Sequence, residues 1–253
     1  MTYCLGIMTK FGLVLASDSR TNSGYDQVNV CKKMHLFELP GDRVFVLLTS
    51  GNLSLAQSII TLLRRDFEQG KGLAGVSSMY DAARNVGEQV RRVSEIDRAA
   101  LERDDFRFNV HFILGGQIRG EDPALYVVYP QGNPLSATED SPFVQIGEHK
   151  YGRPILLRGI QYNATTLEEA AKYSLISMDS TMRSNVTVGP PIDLAVLRAN
   201  ELRISSRRRF TEQDSDLVAV HQQWEQCLRK GIFDIPDIPL PDGDSTVVPT
   251  LGL

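Results

Sequence analysis

Thr2-Tyr3-Cys4-Leu5-Gly6-Ile7-Met8-Thr9-Lys10-Phe11-Gly12-Leu13-Val14-Leu15-Ala16-Ser17-Asp18-Ser19-Arg20 is the stretch on which the reading of this chain turns. Thr2 to Met8 is a β-rich run, Lys10-Phe11-Gly12 a turn signal, and Leu13 to Ala16 a second apolar run that stops at Ser17-Asp18-Ser19-Arg20. A polar, glycine-containing stretch follows from Thr21 to Asn29. Strand character returns in Lys32-Lys33-Met34-His35-Leu36-Phe37, breaks at Pro40-Gly41-Asp42, and resumes from Val44 to Thr49. Short strands joined by turns predict an antiparallel sheet.

Working outward, Leu55, Ile59, Leu62 and Leu63 recur at helical spacing between Gly51 and Gly70, and Met79, Ala82, Ala83, Val86, Val90 and Val93 repeat that pattern. Each stretch reads as an amphipathic helix with one buried stripe. Strands follow at Val110 to Leu114, Ala124 to Tyr129 and Phe143 to Ile146, with Gly115-Gly116 read as a turn after the first. Helices are expected near Tyr151 to Ile160 and from Thr165-Thr166, where Glu168 or Glu169 completes a capping box. Ile192 to Leu197 and Arg203 to Phe210 read as a last hairpin, and Asp214 to Lys230 as a final helix. Grouped strands and grouped helices argue against a parallel βαβ sheet. The expected architecture is α+β, a four-layer αββα sandwich of two stacked antiparallel sheets with helices outside. Residues 1–233 form one domain in this reading. Residues 234–253, with four of the twelve prolines, form an extended tail, loose or docked on a neighbour.

Composition narrows the function. The 253 residues carry 27 Lys and Arg against 31 Asp and Glu, a net charge of −4. That balance lacks the basic field of a nucleic-acid binder. No apolar run approaches the ~18 residues of a membrane helix. The first residues lack the features of a secretory signal, and the three cysteines, Cys4, Cys31 and Cys227, suggest neither disulfides nor zinc. A cytoplasmic protein is expected. The common nucleophile, phosphate-loop and metalloprotease motifs are absent. His35, His111, His149 and His221 are scattered and read as structural or exposed, and Arg207-Arg208-Arg209 as a strand end or subunit contact.

What remains is the start of the chain. Methionine is normally removed before a small residue, which would leave Thr2 first. An N-terminal threonine holds nucleophile and base on one residue. Its hydroxyl attacks, and its α-amino group, with an ordinary pKa of about 7.7–8.0, takes the proton. On residue type alone, Asp18 also suits a turn cap, and Lys32 and Lys33 suit an edge strand.

The order Thr2, Gly12-Leu13-Val14-Leu15-Ala16-Ser17-Asp18-Ser19-Arg20, Lys32-Lys33 and Ser50-Gly51 resembles the opening of a proteasome β-type subunit, an N-terminal-nucleophile hydrolase. The likeness continues through Ile146-Gly147, Met178-Asp179-Ser180 and Pro191 to Val196, so it spans about residues 2–232. Thr2 directly after Met1, Ser17 to Asn22, Ile146 to Tyr151 and Met178 to Asn185 most resemble the bacterial proteasome-related group called Anbu. The resemblance implies Thr2 as nucleophile and Lys33 as the ammonium that lowers the proton affinity of its neighbours. It implies Asp18 as the carboxylate that holds Lys33, and Gly51 as the N–H donor to the oxyanion. It further implies a peptide or protein substrate, assembly into a homo-oligomeric ring or open spiral, and no metal or cofactor.

Two departures from the family pattern stand out. Where members carry Gly-Ser-Gly, this chain reads Gly147-Glu148-His149, and the third residue after Asp179 is Met182 instead of serine. Glu148 or Asp179 is therefore expected beside the Thr2 amine, although Glu148 also suits an exposed helix start. Specificity is expected around Thr49, Ser50 and Leu53. Two alternatives stay open: an amidase for a non-standard amide bond, and a catalytically weak scaffold of the same fold.

Overall fold

A computed structural model describes residues 2–22, 28–103, 105 and 107–240. Met1 and the part of the tail from 241 to 253 lie outside the described residues. In chain order the strands are β1 (Tyr3–Thr9), β2 (Gly12–Ser17), β3 (Arg20–Asn22), β4 (Val28–Val30), β5 (Met34–Leu39) and β6 (Arg43–Gly51). They continue as β7 (Val110–Ile118), β8 (Ala124–Val128), β9 (Pro134–Ser136), β10 (Phe143–Gly147), β11 (Ile192–Arg198) and β12 (Ser206–Phe210). The helices are α1 (Leu53–Glu68), α2 (Met79–Arg103), α3 (Arg153–Gly159), α4 (Leu167–Ser184) and α5 (Ser215–Phe233).

β1 and β2 pair antiparallel across Lys10-Phe11, with Cys4 opposite Ser17, and both are buried along their length. Alternation explains how one strand feeds two cores. Tyr3, Leu5 and Ile7 pack with Met178 and Leu156 beneath α3 and α4. Cys4, Leu13 and Leu15 pack with Val46 and Ile113 of the other sheet. The first sheet runs β10-β1-β2-β11-β12 and the second β5-β6-β7-β8-β9, and all their pairings are antiparallel. A third cluster, including Phe45, Leu47, Ile59, Val86 and Phe112, joins α1 and α2 to the outer face of the second sheet. The result is the expected αββα sandwich.

The differences are local. Gly115-Gly116 is not a turn: both glycines lie inside β7. A side chain at Gly116 would collide with the Val44 carbonyl and the Phe45 ring, and one at Gly115 would press on Leu15, so Gly116 is kept bare for β7 to lie against β6 and Gly115 for the sheets to close. β9 was not foreseen; it is three residues long, starts at Pro134 and forms an edge, where proline is tolerated. The two short strands β3 and β4 pair at the ends of the polar stretch. The capping box forms between Thr166 and Glu169. Asp234 to Leu240 continues past α5 as an exposed segment without helix or strand.

Candidate active site

Tyr3 turns its ring toward the helices, where its hydroxyl lies 2.6 Å from Ser177 Oγ. Its neighbours in the strand face the other way, and Thr2 lines a cleft at the mouth between the sheets. The Thr2 carbonyl accepts a 2.7 Å hydrogen bond from the Glu148 N–H. Gly147, at φ +84°, packs so tightly against that carbonyl that a side chain there would collide with it.

Asp18 follows β2 and is fully buried. Its Oδ1 accepts from the Tyr3 N–H at 3.0 Å and from Lys33 Nζ at 2.7 Å, and its Oδ2 accepts from the Gly189 N–H at 3.4 Å. Burial pushes the Asp18 carboxyl up, while the Lys33 ammonium and the two backbone N–H groups pull it down. Every one of these partners is a donor, so the arrangement suits the carboxylate. Lys33 is 5% exposed, whereas Lys32 points to solvent. The Lys33 ammonium also donates to the Arg20 carbonyl at 2.6 Å. Its segment is pinned from both sides, Cys31 N–H to Ser19 O at 2.7 Å and Thr49 N–H to Lys33 O at 3.0 Å. The ammonium and the peptide N–H immediately after Thr2 thus converge on one oxygen. A fixed positive charge stands one peptide unit from the threonine.

Gly51 ends β6 at φ +101°, with its Cα against the Asn109 carbonyl, where no side chain fits. Asn52 caps α1 by accepting from Ser54 N–H at 3.0 Å and Leu55 N–H at 3.3 Å. Gly51 therefore lies at the electropositive start of a helix, inside the same cleft as Thr2. The cleft encloses about 680 Å³.

Of the residues singled out in the sequence, Thr2, Asp18, Lys33 and Gly51 meet around this mouth. Glu148 is bound to Thr2 through its backbone, and its carboxylate accepts from Asn185 Nδ2 at 3.2 Å and from the Lys150 N–H at 3.4 Å. Asp179, buried on α4, is engaged from the other side by His221 Nδ1 of α5 at 3.1 Å and Arg183 Nε at 3.8 Å. Ser50 lines the cleft, Thr49 is buried, and Leu53 is exposed on the first turn of α1. Arg209 and Arg207 pair with buried Asp193 at 2.7 and 3.9 Å, and Arg208 pairs with Asp214 and Asp216.

Further lining comes from His111, Asn109, Tyr129 and Arg153. His111 sits directly across from Ser50 in the sheet, edge-on to the Tyr129 ring at 6.3 Å. Burial lowers its pKa, which favours the neutral ring. The alternation Val110-His111-Phe112 already put a polar side chain on the face opposite two core residues, the one sequence signal for it. Among the described residues, no group of three His, Cys, Asp or Glu side chains is placed to hold a metal, and no helix is long and apolar enough to cross a membrane.

Comparison with known proteins gives the family. The family model for proteasome subunits matches residues 2–197. A proteasome subunit beta from Haloferax volcanii is 25% identical over 213 residues, 83% of this chain and 78% of that one. Among solved structures, Anbu (ancestral beta-subunit) from Yersinia bercovieri is 40% identical with a TM-score of 0.88, covering 95% of this chain and all of that one. The helical assembly of the Anbu complex from Pseudomonas aeruginosa is 43% identical with a TM-score of 0.89, over 94% of this chain and 98% of that one. On sequence and fold together, the chain belongs to the proteasome subunit family, with Anbu proteins as near structural relatives.

Proposed function

We propose that the chain is an N-terminal threonine hydrolase of proteasome type, cutting peptide or protein amide bonds in the cytoplasm through an acyl-enzyme on Thr2. Removal of Met1 frees the Thr2 amine. The amine takes the hydroxyl proton as Oγ1 attacks the substrate carbonyl, and the Gly51 N–H receives the developing oxyanion. The amine then passes its proton to the departing nitrogen, the C–N bond breaks, and an ester remains on Thr2. Water, activated by the same amine, hydrolyses the ester and frees the acid. Lys33 keeps a positive charge beside the threonine, which favours the alkoxide-like oxygen. Asp18 holds Lys33 in place. Glu148 holds the Thr2 carbonyl through its own backbone N–H and so has a positioning part, and Asp179 has only a positioning part, through α4.

The observation that carries this reading is the shared Asp18 Oδ1, which binds the Lys33 ammonium and the Tyr3 N–H together. Intact mass establishes whether Thr2 is the first residue. An epoxyketone, which needs both the amine and the hydroxyl of an N-terminal threonine, is expected to add once per chain. Thr2→Ala and Lys33→Ala should each lower kcat/KM by about a thousandfold or more. A correctly trimmed chain that resists the epoxyketone points instead to a scaffold of the same fold. Glu148 and Met182, standing where the family carries serines, favour a second reading, an amidase for a non-standard amide. The assembly of the Pseudomonas relative supports a homo-oligomer here as well.

A further inference from the structure

We propose that the end of the cleft built by Arg153 and His149 binds a carboxylate, so that the preferred substrates carry a free carboxylate close to the bond being cut. This rests on the hydrolase reading above and names its substrate class. Arg153 opens α3 immediately after Gly152, and Gly152 abuts the Tyr3 ring and Ser177 so closely that no side chain fits there. The arginine is thereby fixed relative to the residue that follows Thr2. Its guanidinium lies over the Phe143 ring, 5.8 Å from the centroid, which presents the N–H fork while leaving it unspent. Among the described residues no carboxylate pairs with it.

His149 stands beside it in the same cleft, with Nδ1 3.2 Å from the Gly147 carbonyl. A carbonyl only accepts, so that contact places a proton on Nδ1; the ring then shapes the cleft end, and the Arg153 guanidinium supplies its donors. Among the described residues, no Asp or Glu lines the cleft. The adjacent acid, Glu148, has its carboxylate engaged by Asn185 and the Lys150 N–H. The whole chain has a net charge of −4, so a cationic cleft end is a local feature and not part of a general basic surface. An arginine held by an aromatic ring, with no acid among the described residues to neutralise it, matches a planar anion.

The carboxylate could belong to a chain terminus or to an acidic side chain, and the test separates the two. Calorimetry on the Thr2→Ala protein, which performs no chemistry, would compare acetyl-Ala-Ala-Glu with its C-terminal amide, with the glutamine peptide, and with the peptide neutral at both places. Removing the recognised carboxylate should weaken binding about tenfold. Whichever swap does so identifies the source. Arg153→Gln should erase the difference between charged and neutral peptides, and Arg153→Lys should restore part of it. Equal affinity for all four peptides, no measurable binding of any, or a difference that survives Arg153→Gln overturns the inference. Because no bond is cut, the outcome is independent of whether Thr2 is a nucleophile, which the epoxyketone test decides.

Discussion

Asp18 is surrounded by donors alone, and that one-sidedness is what makes a fully buried acid tolerable. Burying two charges is costly unless each finds good partners, so a pair such as Asp18 and Lys33 is weak evidence for stability and points to use. His35, two residues further on, shows the opposite strategy. Burial, with Lys32 and Arg64 adding to it, lowers its pKa from 6.5 to about 4. Between those values the unfolded chain binds a proton that the folded chain refuses, so stability falls as the pH drops through 6.5 toward 4. His35→Gln should remove roughly 2 kcal/mol of the stability lost by pH 4.5, read from urea unfolding at pH 7 and pH 4.5. An unchanged acid-side loss in the variant would show that His35 stays accessible to protons when folded. At this scale, Thr2, Asp18, Lys33 and Gly51 were legible because they fall in short ordered motifs of the chain. Arg153 and Tyr129 were not, because pairing and packing between distant segments bring them to the cleft.

At the scale of elements, the helices followed their apolar periodicity, and α4 began where its cap residues indicated. Thr166 Oγ1 accepts from the Glu169 N–H at 3.2 Å while the Glu169 carboxylate accepts from the Thr166 N–H at 2.9 Å. Thr166→Ala removes half of this exchange and should cost about 1 kcal/mol. For a domain of this size that is a fall in Tm of about 2–4 °C, measurable by calorimetry. No shift would mean that packing of Leu167 and Ala170 alone sets the start of the helix. Gly115-Gly116 misled because adjacent glycines usually punctuate a turn; here Gly115 clears the facing sheet and Gly116 the neighbouring strand, which one strand read alone does not reveal. β9 was invisible for a related reason, since three residues led by proline carry too little pattern to be seen without the neighbour they pair with.

At the scale of the molecule, the two-sheet sandwich was legible from the order of strand and helix groups, while the surface it leaves open was not. Ile232, Phe233, Ile235, Ile238 and Leu240 are 62–87% exposed along one short stretch, an apolar display that the other described residues do not cover. If the proposed homo-oligomer forms through this segment, ending the chain at Lys230 should shift sedimentation velocity toward smaller species while the circular dichroism of the sandwich persists. Sedimentation identical to the full chain would exclude this segment as a contact between copies. The proposed chemistry also has a division of labour across the layers. Thr2 and Asp18 come from the first sheet, whereas Lys33 and Gly51 stand at the borders of strands in the second. A chain emerging from synthesis thus carries every reacting group long before any of them can act together. On the proposed chemistry, cutting power would arrive only when the halves close on one another, which would leave a half-folded copy harmless to its surroundings.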